Sequence, residues 1–189
     1  LTADELIKLK NNPRVLGLGE MMNVPGVLGC SEDVMNKLDA FDNYIIDGHS
    51  PMLSGNSLSA YKAAGIMTDH ESASFNEAIE KLKLGLSILV REGSAAKNLE
   101  DIIRGVVDNS IDTNNMAFCT DDKHLSDVCK EGTIRCNIKK AIALGLSPIS
   151  AYKMATINAA KIYGLKHIGA VAPSYKADLV IPVSYTHLR

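Results

Sequence analysis

The chain has 189 residues, of which 46% are hydrophobic and 22% charged, an ordinary globular composition that excludes disorder, collagen and coiled coil as global architectures. Lys and Arg number 20 against 22 Asp and Glu, and a net charge of −2 argues against a dedicated nucleic-acid binder, which would show a basic stripe. No apolar run reaches the roughly 18–20 residues of a membrane span, and no charged-then-apolar leader is visible, so a cytoplasmic protein acting on neither membrane nor nucleic acid is expected. The four cysteines, Cys30, Cys119, Cys129 and Cys136, form no CxxC and read as reduced thiols. The chain opens on Leu1 rather than Met, inside what reads as a helix, and is expected to be a fragment of a longer protein.

Thr2 and Glu5 stand three apart, the spacing of a capping box, and predict a helix to about Asn11 before Pro13. Val15 to Gly19 reads as a buried strand. Ser31 should cap a helix that buries Val34, Met35, Leu38 and Phe41. Tyr44 to Ile46 is a second strand, followed by a short helix carrying Leu58 and Tyr61 and stopped at Gly65. Ile66 to Thr68 is a third strand. Phe75, Ala78, Ile79 and Leu82 keep the spacing of an amphipathic helix.

Leu86 to Val90 is the fourth strand. Leu99, Ile102, Ile103, Val106 and Val107 repeat the helical stripe, with Asn98 as its cap. Met116 to Cys119 is the fifth strand. Ile134, Ile138, Ala141 and Ile142 form a helix ended by Gly145, and Ser147-Pro148 starts another that runs to Tyr163 and Gly164. Five strands, each followed by a helix, imply a parallel sheet with right-handed crossovers. Beyond Gly164, Ile168 to Val171 and Ala177 to Val183 read as short strands around a Pro173-Ser174 turn.

The functional signal lies in the polar residues at the carboxyl end of each strand. Glu20 comes after the first, Asp47 and His49 after the second, Asp69, His70 and Glu71 after the third, Arg91 and Glu92 after the fourth, and Asp121 and Asp122 after the fifth. In barrels and in open α/β sheets alike, that end carries the chemistry. Each residue alone has a bland reading: a solvated loop acid, a turn histidine or a helix cap. Their recurrence on one rim does not. Imidazoles with carboxylates suit Zn, Mn, Fe or Co, and a bridging carboxylate permits a two-metal site. His124, His167 and His187 read as loop or surface residues. A dinucleotide fold is disfavoured, because Met22 stands where the third Gly of GxGxxG belongs.

Five segments carry a resemblance to a known family: Gly17-Leu-Gly-Glu-Met-Met-Asn23, Asp47-Gly-His-Ser-Pro51, Thr68-Asp-His-Glu71, Arg91-Glu-Gly-Ser-Ala95 and Phe118-Cys-Thr-Asp-Asp122. With Met154 to Ala160 and Ala177 to Val180, they resemble the adenine deaminases of the metal-dependent amidohydrolase superfamily. The resemblance implies an α/β fold in which these strands are the fourth to eighth of a (β/α)8 TIM-like barrel. It places the partial barrel at residues 1–164, strands of a small C-terminal β domain at 165–183, and a tail at 182–189 that does not look like the family. It implies hydrolytic deamination of adenine to hypoxanthine and ammonia by metal-activated water, using a divalent metal, two ions of Mn, Fe or Zn. Glu20, His49, His70 and Asp121 would be the metal ligands and Asp121 and Glu20 the proton-transfer groups. Glu71, Arg91, Ser94 and Asp122 would orient the base.

Several departures stand beside the resemblance. The family's His-x-His of the first strand is not in this chain. Thr133-Ile-Arg135 stands where relatives have His-Ile-Asp, Leu125 where Pro is usual, and Ser174 at a turn Gly. The fragment alone is therefore expected to be inactive, and its oligomeric state stays open. Two alternatives also stand: another amidohydrolase acting on a cyclic amidine or amide, or a non-catalytic open-sheet nucleotide-binding module.

Overall fold

The computed structural model describes residues 1–184 and 187–188. In chain order the elements are α1 (Ala3–Lys10), β1 (Gly17–Met21), α2 (Val24–Leu28), α3 (Glu32–Ala40), β2 (Ile45–Gly48), α4 (Gly55–Ala63), β3 (Thr68–Asp69), α5 (Phe75–Lys83), β4 (Ser87–Arg91), α6 (Leu99–Asp108), β5 (Met116–Cys119), α7 (Leu125–Glu131), α8 (Ile134–Ala143), α9 (Pro148–Ala155), α10 (Ile157–Ile162), β6 (Pro182–Ser184) and β7 (His187–Leu188). This is an α/β fold. β1 pairs in parallel with β2, and β3, β4 and β5 form a second parallel ladder in sequence order. One backbone hydrogen bond crosses between the two sheets, from Met67 N–H to the Ile46 carbonyl at 2.9 Å.

Each sheet has its own core. Ile88, Val90, Met116 and Phe118 of the larger sheet pack with Leu99, Ile102, Ile103 and Val106 of α6 and with Ile138, Ala151 and Met154 of the later helices. Leu18, Met21 and Ile46 of the smaller sheet pack with Val27, Val34, Leu38, Phe41 and Tyr61. The stripes predicted on α3, α6 and α8 lie on the buried faces of their helices, and Phe75, Ala78 and Leu82 of α5 pack against the larger core. The capping box forms as predicted, with Thr2 N–H donating to Glu5 at 2.7 Å.

Four expectations need correction. Strands β1 to β4 run one or two residues further toward their carboxyl ends than their apolar runs do, so Glu20, Asp47, Asp69 and Arg91 lie within strands rather than after them. Backbone pairing continues there, Arg91 against Cys119 for example, and ladder hydrogen bonds do not depend on side-chain polarity. Helices α2 and α7 lie outside the predicted elements, being only five and seven residues long; Asn23 accepting from Gly26 N–H, with Pro25 in the first turn, is the signal for α2. The helix expected from Pro148 to Tyr163 breaks at Thr156, whose φ of −132° and ψ of −95° are non-helical while its hydroxyl bonds the Tyr152 carbonyl. Asn98 does not cap α6 with its side chain; its amide donates to the Ser72 carbonyl at 3.1 Å.

The Pro173-Ser174 turn is present, with Tyr175 N–H donating to the Ala172 carbonyl. Ile168 to Val171 and Ala177 to Ile181 join no ladder. Strand pairing needs a neighbouring edge, and among the described residues none lies beside them. β6 pairs antiparallel with β7, while residues 185, 186 and 189 of the expected tail lie outside the described residues. No described helix is long and apolar enough to cross a membrane.

Candidate metal centre at the strand ends

The carboxyl ends of the five parallel strands converge on one cluster. In β1 the register shifts between Leu18 and Met21, and Glu20 falls in that irregularity. Such a shift re-aims a side chain, and here Glu20 turns to the site while Leu18 and Met21 stay in the core. His49 follows β2 and is fixed by Tyr61: the buried phenol accepts the His49 N–H at 3.0 Å and donates to the Met21 carbonyl at 2.6 Å. Burial pushes the Tyr61 hydroxyl up to about 12, so it keeps its proton and its donor role. Gly48 is required beside it, since a Cβ there would stand 2.2 Å from the Thr68 carbonyl oxygen of β3.

His70 follows β3 and places Nε2 2.9 Å from Glu20 Oε2 and 3.5 Å from Glu71 Oε1. His49 Nδ1 lies 3.5 Å from Glu20 Oε2 and 3.6 Å from Glu71 Oε1, and the two imidazole rings meet edge to face at 5.4 Å. From β4, Arg91 reaches across the cluster. Nη1 binds Asp121 Oδ2 at 2.7 Å and also contacts Glu71, and Nη2 binds Glu71 at 3.1 Å. Burial opposes the Arg91 charge, but the hydrogen bonds and charges of Glu71 and Asp121 outweigh it and hold the guanidinium above its usual value. Asp121 sits just past β5 with φ of +43°, a left-handed backbone that Asp tolerates better than most residues.

Two overlapping groups have ligand atoms within 4.8 Å of one another: Glu20, His49 and His70, and His70, Glu71 and Asp121. Glu71, expected only to orient substrate, is thus equally placed as a ligand. Asp121 is grouped with His70 and Glu71 and not directly with Glu20 and His49. The donors fit a divalent cation on two further counts. Glu71 and Asp121 share the one guanidinium and Glu20 lies against the histidines instead, so the three carboxylates of the cluster outnumber its one fixed positive charge by two. His49 Nδ1 is buried with no hydrogen-bond partner, a cost that a ligand bond would relieve. A cleft of about 240 Å³ opens against the cluster, lined by Glu20, Asp47, His70, Leu89, Cys119, Asp121 and Tyr163.

Ser94 and Asp122 do not line that cleft. Ser94 donates to Asp127 and accepts from His124 N–H at 2.9 Å, while Asp122 Oδ2 accepts from Ala95 N–H at 2.9 Å and Ala96 N–H at 3.3 Å. Together they tie the loop after β4 to the loop after β5. Gly93 lets that contact close, because a Cβ there would stand 1.5 Å from Asp122 Oδ1.

Asp47 and Asp69 stand among the rim groups of the sequence without a role, and Cys119, Tyr163 and Lys81 are not singled out there for any part in the site. Asp47 accepts from Thr68 Oγ1 at 2.8 Å and from the Tyr163 hydroxyl at 3.1 Å. Cys119 lines the cleft floor, and burial pushes its thiol up to about 12, which makes it an inert wall. Asp69 and Lys81 are both fully buried and paired at 2.8 Å. Burial alone would raise the Asp69 carboxyl, but the charge and hydrogen bond of Lys81, with bonds from Ser72 and Ser50, hold it below the usual range. A Lys on the inner face of an amphipathic helix was the available signal, because Lys is almost never fully buried unless paired.

A model described as the amidohydrolase family matches residues 2–184. The chain is 51% identical over 180 residues to an adenine deaminase of Desulfitobacterium hafniense and 50% identical over 183 residues to one of Clostridium acetobutylicum. Those alignments cover 95% and 96% of this chain but 32% of either relative, so the chain spans about a third of the length of the curated relatives it matches. Among solved structures, a β-aspartyl dipeptidase of Fervidobacterium islandicum shares the fold with a TM-score of 0.64 at 17% identity, over 93% of this chain and 55% of that one. An amidohydrolase of Thermotoga maritima superposes with a TM-score of 0.55 at 14% identity, over 94% of this chain and 49% of that one. Matched along nearly its whole length, and with its polar residues gathered where the parallel strands end, the chain belongs to the amidohydrolase family.

Proposed function

We propose that this chain is the metal-binding portion of an adenine deaminase, converting adenine and water to hypoxanthine and ammonia. The observation that carries the reading is the convergence of Glu20, His49, His70, Glu71 and Asp121 from four loops and strands onto one cluster. The roughly 50% identity to adenine deaminases over almost the whole chain supports the choice of substrate. The five strands would be the fourth to eighth of an eight-stranded barrel, and residues 165–183 would pair in a small β domain once their neighbours are supplied.

Glu20, His49, His70 and Asp121 would hold one or two divalent ions, with Glu71 as a further donor. Such an ion supplies Lewis acidity and lowers the pKa of water to near neutrality. Asp121, which lines the cleft, would accept a proton from the attacking water and return it to the leaving amine on C6. Arg91 fixes the Asp121 carboxylate for that transfer. Glu20 would relay the second proton of that water to a ring nitrogen, so that the hydroxyl added at C6 becomes the carbonyl of hypoxanthine as ammonia leaves. Glu71 and Arg91 would orient the base, and Ser94 and Asp122 would serve it by holding the loop that covers it.

The test is a chimaera. Replacing the matching third of the D. hafniense enzyme by this chain should give manganese-dependent release of ammonia and hypoxanthine from adenine. A folded, metal-loaded chimaera that leaves adenine untouched overturns the reading.

A further inference from the structure

Lys81 lies on the inner face of α5, beside Ala78 and fully buried, where an apolar residue would satisfy packing alone. Burying a charge carries a large desolvation penalty, and ion pairs in cores are often no more stable than apolar replacements. The contacts of this pair explain its presence differently. Lys81 Nζ has three protons to donate and uses all of them: to the Ser50 carbonyl at 2.7 Å, Asp69 Oδ2 at 2.8 Å and Glu77 Oε1 at 2.8 Å. Asp69 Oδ1 accepts from the Ser50 N–H and hydroxyl, both at 2.9 Å, and Oδ2 accepts from the Ser72 N–H at 2.9 Å and hydroxyl at 2.7 Å. Glu77 then accepts from Met52 N–H at 2.8 Å and Ala73 N–H at 3.0 Å.

Every one of those loop partners flanks a histidine of the site. Ser50 and Met52 follow His49, and Ser72 and Ala73 follow His70. We propose that the buried Asp69–Lys81 pair is a positioning device that clamps the two histidine loops together and sets the spacing of His49 and His70 before any ion arrives. The proposal rests on the metal-centre reading. Neither residue touches the site, so both are positioning residues. Their effect belongs in the affinity and geometry of the metal site beyond any effect on the fold.

The test compares metal affinity in the chimaera and in the chain itself, by chelator competition with Mn²⁺ and by the visible absorption of bound Co²⁺. The double variant Asp69→Asn/Lys81→Met removes both charges together. The introduced amide keeps one acceptor oxygen for Ser50 and must release Ser72. Outer partners of metal ligands typically contribute about 10–100-fold in affinity, and a loss in that range with an altered Co²⁺ spectrum is expected. Ile103→Ala, in the α6 core, controls for loss of stability and should leave the dissociation constant unchanged. Ser50→Ala/Ser72→Ala keeps the charge pair and removes only the two hydroxyl links, so it covers the case in which the first variant does not fold; a smaller weakening, roughly 3–10-fold, is expected. Unchanged affinity in either double variant that folds, or an equal loss in Ile103→Ala, overturns the clamp while leaving the metal centre in place. No metal binding by the unaltered proteins overturns the metal-centre reading and the clamp with it.

Discussion

The two sheets differ in how they are held. The β3–β4–β5 sheet is buried among α6, α8 and α9 in one continuous apolar core. The β1–β2 sheet has a smaller core, an irregular register and, among the described residues, a free edge at β1. Between them the backbone supplies one hydrogen bond, Met67 to Ile46, and side chains add Thr68 to Asp47 and Gly48, and Asp69 to Ser50. The candidate metal centre straddles this seam. Glu20 and His49 come from the smaller sheet, and His70, Glu71, Arg91 and Asp121 from the larger. The polar groups that would strain a single core serve here to join two, so site and seam are one structure.

The largest effect should come from striking the site side of the seam. In the chimaera, Asp121→Asn should lower the rate of ammonia release about 10²–10⁴-fold, as loss of a general base does, with metal content measured alongside. Asp122→Asn should instead keep its metal and raise KM more than it lowers kcat, because it loosens the loop after β4. Equal losses in both would reverse the roles of the neighbouring acids.

Striking the cores tests the inequality between the sheets. Ile88→Ala, fully buried in the larger core, should cost about 2–5 kcal/mol in chemical denaturation. Amide exchange should show the β1–β2 region opening below the energy of global unfolding while β4 and β5 stay protected. Protection equal in both sheets would refute a separable smaller unit. Thr68→Val cuts the seam itself, leaving Asp47 and the Gly48 N–H short of a partner. It should cost about 1–3 kcal/mol and speed exchange at Gly48 more than at Val90.

Acidity separates the Asp69–Lys81 link from the other seam contacts. The Asp69 carboxyl sits below its unfolded value of about 3.9, so its contribution is complete above that pH and is lost as pH falls through the folded value. Thermal melting of the unaltered chain should therefore drop below pH 4 by more than that of Asp69→Asn/Lys81→Met. Parallel curves would show that the link adds no acid-sensitive stability.

The smallest effect is chemical labelling. Cys30 and Cys129 are exposed and should react with a thiol reagent at pH 8, while Cys119, half-buried and with its thiol pushed up to about 12, should react far more slowly in the native protein. Equal rates at all three would show that the Cys119 thiol is not held in its protonated form.

The amino-acid sequence by itself determined the alternation of strand and helix, the buried faces, the capping box at Thr2 and the set of groups on the rim. Those come from local periodicity and from the polar residues that must lie between an apolar strand and the next helix. The strand ends differ from the predicted ones because ladder pairing is settled by the neighbouring strand, as Arg91 opposite Cys119 demonstrates. Ser94 and Asp122 stand at strand ends in the sequence, but that each finds its partners in the other's loop is decided by how those loops pack. Only the tertiary structure could assign Asp47 to Tyr163, 116 residues away, or reveal that Lys81 belongs to the loops of His49 and His70. A buried charge is legible in a sequence as an anomaly, but the partner that justifies it is chosen in three dimensions, where distant acceptors have already been brought together by the packing of the chain.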